Sequence, residues 1–456
     1  MYLSLISFLR GRVRGTEHER TTKLKYNVLL SAIFRAISVG ANLLLVPLTL
    51  DYLSPVKYGI WLTLGSILAW IGYFDIGLGS GLRNRLSEAF AKGDTGLGRT
   101  YVSTAYAALA SIVLVAYVAF LFVNPLLDWA TILNTPMAIA DELSSLVFVV
   151  FTLFAIRFIA GLIGMVLTAD QRPAISSGLE ALVAALSVLV VIILRKTTEG
   201  SLLYLGGWIS FLSASVPLVA SFFFFRTRYK SIRPAVSFVR TEYAKDLASL
   251  GVKFFVLQII FIVIFASSNI VIAQLFGPSE VTVYNIAFKY FYLVTMVFTI
   301  LTSPLWSAFT DAYVKGDDRW IRTTVKKTVK LWGVLTFVAV IMLALSPIAY
   351  RLWIGQTVEI PFSLSIAMCL LVVLMTWNGV FTLFVNGVGK IQLQVLFAVG
   401  VGLCFIPLSI LFAKVLNMGS AGVVLATVAC MLPGSIITPL QYHRIINKKA
   451  TGIWNR

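Results

Sequence analysis

Runs of about twenty apolar residues, closed off by charges or by glycine, proline and asparagine, recur along the whole chain. A run of that length is what a helix needs to cross a hydrocarbon core roughly 30 Å thick. Twelve spans are predicted, the first six at Tyr26 to Leu50, Tyr58 to Leu78, Tyr101 to Val123, Ser144 to Thr168, Ala174 to Leu194 and Leu202 to Phe225. The second six run from Leu247 to Phe276, Val281 to Trp306, Val329 to Tyr350, Pro361 to Val385, Ile391 to Ala413 and Gly419 to Leu440. The fold class that follows is all-α, a polytopic membrane protein of about 12 transmembrane helices. The expected layout is a basic tail over 1–25, a six-helix lobe over 26–225, a linker over 226–246, a second six-helix lobe over 247–440 and a basic tail over 441–456. The first 25 residues hold six Lys or Arg and no long apolar core, so they read as a tail and not as a cleavable signal.

Composition agrees with this pattern. Of 456 residues 59% are hydrophobic and only 12% charged, with a mean hydropathy of +0.91, which leaves no polar surface for a soluble domain. The formal net charge of +18, from 37 Lys and Arg against 19 Asp and Glu, raises the question of a nucleic-acid partner. Sorting the bases by alternate sides of the membrane answers it. One side holds 29 of them, counting Lys253 and Lys330 near the starts of their spans, and the other five, and the remaining three, Arg35, Arg157 and Lys289, fall deeper inside spans. Basic residues near span ends are retained in the cytoplasm, so both termini are expected there and no nucleic acid is needed. Cys369, Cys404 and Cys430 lie in apolar runs without metal spacing, and His18 and His443 stand alone. No metal or other cofactor is expected.

The chain also repeats. A shift of 223 residues brings LSPVKYGIW from Leu53 onto FGPSEVTVY from Phe276, and RLSEAFAKGD from Arg85 onto AFTDAYVKGD from Ala308. Pro55 meets Pro278, Leu82 meets Leu305, and Lys92, Gly93 and Asp94 meet Lys315, Gly316 and Asp317. Six spans is an even number, so the halves are parallel repeats about an axis along the membrane normal, an architecture that puts a substrate site between them.

Charges within spans cost about 2.5 to 3.5 kcal/mol at the helix centre and mark cavities or partners. Arg35 shares a stripe with Ser31, Ser38 and Asn42, at spacings of 4, 3 and 4. The repeat puts Gln258 at the position of Arg35, with Asn269 on its stripe. Lys289 lines up with Asn285, Tyr292, Thr299 and Ser303, and Arg157 with Gly161, Gly164 and Thr168, the glycines being expected to leave room for the guanidinium. Against these bases stand Asp75 and Glu180, candidates for ion coupling. Asn378, Thr382 and Asn386 form a further polar stripe, suited to a hydroxyl-rich substrate or to bonds between helices. The positive balance favours an anionic ligand, phosphate or pyrophosphate. Trp61, Trp70, Tyr73, Tyr284, Tyr290 and Tyr292 are candidates to stack on sugars, although interfacial belts account for such rings too.

The run YLSPVKYGIW followed by FDIGLGSGLRNRLSEAFAKGD, Tyr52 to Asp94, resembles the polysaccharide-transporter branch of the multidrug/oligosaccharidyl-lipid/polysaccharide (MOP) exporter superfamily, which includes the O-antigen flippases. The resemblance implies a V-shaped, two-lobed bundle with alternating access. It also implies a substrate, an undecaprenyl-pyrophosphate-linked oligosaccharide whose lipid tail stays in the bilayer, and an inner-membrane location. Polysaccharide polymerase and chain-length machinery are the protein partners in view. The cationic cavity of such flippases maps onto Arg35, Arg157 and Lys289 by location alone, and Asn42, Gln258 and Asn378 complete the candidate site. The rival reading is a cation-coupled multidrug exporter of the same fold, for which outer-cavity acids are expected. A membrane enzyme would need reactive carboxylates in the loop from Asn124 to Leu143, which offers Asp128, Asp141 and Glu142.

Overall fold

The computed structural model describes residues 16–72, 78–136, 139–244, 267–302 and 305–455. Asp75, Tyr73 and Gln258 lie outside them. The described helices are α1 Thr16–Tyr52, α2 Pro55–Gly72, α3 Leu78–Lys92, α4 Thr95–Val123, α5 Ala140–Ala160, α6 Leu162–Ala169, α7 Pro173–Thr197 and α8 Leu202–Arg226. After them come α9 Ser267–Phe276, α10 Pro278–Thr302, α11 Leu305–Val314, α12 Asp318–Ile354, α13 Phe362–Val388, α14 Gln392–Ile410 and α15 Gly419–Ile446. Ten helical stretches among the described residues are long and apolar enough to cross a membrane, α5 with α6 forming one of them. The second and seventh predicted spans are represented by α2 and α9.

Several helices run further than the apolar pattern. α1 is helical from Thr16, where a tail was expected, α12 starts at Asp318 instead of Val329, and α15 continues to Ile446 beyond Leu440. Hydropathy reports where a helix meets lipid, whereas Lys, Arg and Glu continue a helix as readily as Leu does.

The repeat is built into the backbone. Pro55 and Pro278 each open a helix, in the position where a missing N–H costs nothing. Gly93 and Gly316 both take positive φ, +69° and +71°. Asp94 and Asp317 then cap α4 and α12, their carboxylates accepting from the N–H groups of Leu97 and Trp320 at 2.8 and 2.9 Å. Packing repeats as well: α8 lies along α5, and α15 lies along α13 in the same way.

The halves meet through α1 and α2 on one side and α9, α10 and α12 on the other. α2 and α10 touch backbone to backbone, since a Cβ on Gly59 would sit 1.6 Å from the carbonyl oxygen of Pro278. Val46, Leu50 and Tyr58 are accordingly buried in the core of the second half. All these contacts lie at the end of the bundle opposite the basic segments around Lys92, Arg233 and Lys326.

Candidate functional site

Six sets of hydrogen bonds between described residues cross from one half to the other, and together they seal the two halves at one end of the bundle. Asn134 donates to the Ala273 carbonyl at 2.9 Å, and Gln274 to the carbonyls of Thr131 and Ile132. Thr282 Oγ1 donates to the Pro55 carbonyl at 2.6 Å, and Trp353 Nε1 to that of Leu43 at 3.1 Å. Deeper in, Asn285 donates to Asn269 and Asn269 to Ser66, each at 2.8 Å, a buried three-member chain. Below that chain Lys289 Nζ donates to the Tyr58 hydroxyl at 3.0 Å and lies 5.7 Å from the centre of its ring.

A tier of charges lies further from the seal. Arg35, Arg157 and Glu180 are each seventeen residues from the helix end on the sealed side, Tyr52, Ala140 and Thr197. At about 1.5 Å per residue that is about 25 Å, against about 16 Å for Lys289 from Pro278. The helix ends themselves are tied level. Tyr52 and Thr198 share a hydrogen bond of 2.8 Å, Arg195 pairs with Asp51, and Glu142 accepts from Ser201 at 2.6 Å while Lys57 stands 3.5 Å away.

All three tier residues are exposed. For Arg35 the direction of that exposure follows from the helix. Phe34 and Ala41 turn α1 onto α7, where Phe34 packs against Gly178. Ile33, Ile37 and Leu44, exposed at 46%, 46% and 58%, lie on the side opposite Arg35 at 100° per residue. Arg35 and Asn42 therefore face away from the lipid-facing stripe. Asn42 Nδ2 is turned back onto the Ser38 carbonyl at 2.7 Å, and the hydroxyls of Ser31 and Ser38 lack partners among the described residues. Arg35 makes no ion pair among the described residues.

Other expectations sort differently. Gly164 does not leave room beside Arg157: a Cβ there would meet Ser176 Oγ at 3.1 Å, so this glycine lets α6 approach α7. Asn378 points at α15, its Oδ1 3.9 Å from where a Gly434 Cβ would stand, next to the bond from Trp377 Nε1 to the Ser435 carbonyl at 2.9 Å. Of the aromatic candidates, Tyr290 is drawn into the second half, donating to the Met342 carbonyl at 3.1 Å. Tyr284, Phe288 and Tyr292 instead stack in a ladder along α10, with centroids 6.0 and 5.1 Å apart, and Tyr292 at its exposed foot. Asp128 spends its carboxylate on the Thr131 hydroxyl and on capping the turn at Trp129–Ile132, and those hydrogen bonds, the hydroxyl's first, hold its pKa below the ordinary value. With Glu142 tied to Ser201, two of the three loop acids are engaged in structure.

Sequence reasoning did not find one feature, a cavity of about 270 Å³ between α2, α4 and α5. Ile71, Ile112, Val113, Phe120, Phe151 and Phe154 are among its walls. Its Tyr117 hydroxyl is bonded to Thr152 at 2.7 Å. Among the described residues no group of His, Cys, Asp and Glu is arranged to hold a metal.

Two helical halves meeting at one end define the class: a multi-pass membrane bundle of the MATE fold. The solved structure of an inward-facing multidrug resistance MATE family transporter of the MOP superfamily superposes with a TM-score of 0.77 at 14% identity, over 93% of this chain and 100% of the other. An outward-facing MATE transporter gives 0.64 at 15% identity, over 97% of each chain, and the MATE multidrug transporter DinF-BH gives 0.68 at 15% identity, over 94% and 97%. By sequence the chain is similar to a protein provisionally named an O-antigen export protein, from Yersinia pseudotuberculosis, at 22% identity over 364 residues, 78% of this chain and 82% of that one. It is likewise similar to one provisionally named an O-antigen transporter, from Salmonella typhi, at 22% identity over 302 residues, 65% and 68% of the two chains. No family model matches.

Proposed function

We propose that the protein is a flippase that carries an undecaprenyl-pyrophosphate-linked oligosaccharide across the inner membrane by alternating access, with both termini in the cytoplasm. The observation that carries this reading is the position of Arg35 and Arg157, exposed about 25 Å from the helix ends on the sealed side and about 9 Å beyond Lys289, the one cation among the sealing bonds between described residues. Exposed cations in a cleft attract the pyrophosphate, and the guanidinium fork of Arg35 meets phosphate oxygens two at a time. The exposed foot of the Tyr284 ladder suits a sugar next to it. With the basic segments in the cytoplasm, the sealed end is the outer one and the cleft is open inward. No bond is made or broken in this cycle. Glu180, and Asp75 beyond the described residues, are the candidates for coupling to a proton or sodium gradient.

A cation-coupled multidrug exporter is the second reading, favoured by the aromatic cavity between α2, α4 and α5. Proteoliposomes separate the two. Flipping of a fluorescent polyprenyl-pyrophosphate glycan without efflux of a cationic dye is the expected result. Dye efflux with no glycan flipping would reverse the assignment.

A further inference from the structure

Among the described bonds that seal the cleft, one involves a formal charge. Asn134, Gln274, Asn269, Asn285, Thr282 and Trp353 join neutral groups, whereas Lys289 gives an ammonium to the neutral hydroxyl of Tyr58. No carboxylate pairs with Lys289 among the described residues. Its partner Tyr58 is 4% exposed and packed in the core of the opposite half, while Lys289 itself is half-buried. The repeat sharpens the point, because the residue equivalent to Lys289 in the first half is Ser66, the neutral end of the Asn285–Asn269–Ser66 chain. One half thus contributes a hydroxyl to the seal at the position where the other contributes a charge.

An ammonium against a phenol is a poorly matched pair. It has three donors and a flexible four-carbon stem, and the hydroxyl offers it one neutral acceptor. A phosphate oxygen offers the same ammonium an opposite charge as well as a hydrogen bond, and the exposed tier that would hold such a group lies about 9 Å further down at about 1.5 Å per residue. We propose that Tyr58 is a positioning residue: it holds Lys289 at the seal until an anionic headgroup draws the ammonium down, so that loading the cleft loosens the closed end above it. The proposal rests on the headgroup reading given under Proposed function. It adds a residue on the opposite half through which binding is felt at the gate.

The test uses the full chain, free of its three native cysteines, in nanodiscs. Spin labels on Leu127→Cys and Phe276→Cys, both exposed and on opposite halves at the sealed end, report its opening as a distance distribution. Tyr58→Phe removes one oxygen and leaves the ring packed, and Lys289→Met removes the charge. Each should raise the ratio of open to sealed molecules roughly tenfold, and the double variant should raise it no further, because both changes break the same bond. Lys289→Arg, which keeps a donor, should remain sealed. Inorganic pyrophosphate should open the unsubstituted gate and have no effect on Lys289→Met. Effects of Tyr58→Phe and Lys289→Met that multiply, or a Tyr58→Phe protein as tightly sealed as its parent, would overturn the latch while leaving the flippase reading intact. Non-additive variants together with a gate indifferent to pyrophosphate would overturn both release by the anion and the headgroup reading.

Discussion

Arg35 lies on a helix whose apolar exposed stripe points the other way, so its removal should spare packing and remove only what it binds. Arg35→Ala is expected to reach the membrane at normal abundance and to lose glycan export, since a hydrogen bond to a charged group is worth about 1.5–3 kcal/mol, a factor of roughly 10 to 100 in headgroup affinity. Arg35→Lys should retain part of the activity, keeping the charge without the fork. Surface glycan and protein level measured together check this, and recovery of a poorly inserted Arg35→Ala by Asp75→Asn would show an ion pair instead. The stripe Ser31, Arg35, Ser38, Asn42 was legible because period and depth suffice to say that a face is polar. The partners of Lys289 and Asn269 were not legible, because helical spacing gives the direction of a side chain but not which residue two hundred positions away it meets. Gly164 misled for the same reason: a glycine next to a charge on one helix served the close approach of another helix.

At the scale of elements, the spans were readable from apolar runs, while their ends were not, because charged helix formers carry α1, α12 and α15 past the lipid boundary. The repeated Lys-Gly-Asp triplet was readable as a repeat, and its meaning became plain only as a turn. Gly takes the left-handed conformation and Asp caps the long helix that follows. Asp94→Ala and Asp317→Ala should each cost about 1 kcal/mol, by similar amounts because the two caps share one geometry. Denaturant unfolding of the purified protein in detergent measures the loss, and Asn at either position should restore most of it.

For the whole molecule, the expected disposition follows from the basic segments. Cysteines placed at Lys92 and Lys315, beside glycines whose positive φ is left undisturbed, should resist impermeant maleimide added outside intact cells. A cysteine at the exposed Ser279, at the sealed end, should react under the same conditions. Labelling in the reverse pattern would turn the molecule over and make the cleft open outward. The two-lobed arrangement was legible from the offset of 223. Which end was closed was not, because that depends on contacts between halves that no single span records.

The crossing of α2 and α10 bears on how the two halves can drift apart over time. Under the offset of 223 residues Pro55 corresponds to Pro278 and Gly59 to Thr282. Thr282 reaches the carbonyl of Pro55, so in a perfectly twofold molecule residue 59 would reach that of Pro278 in the same way. A Cβ at Gly59 would instead lie 1.6 Å from that oxygen. The backbone of Pro278 takes the space a side chain at 59 would need, whereas position 282 has room for one against Pro55, so the crossing is not evenly twofold. Gly59→Thr should leave a protein whose halves no longer close at this end, and adding Thr282→Gly should restore closure and export by handing the hydroxyl to the other half. A double substitution as defective as the single one would show that the two sites are not exchangeable, and that ancestry left them only superficially alike.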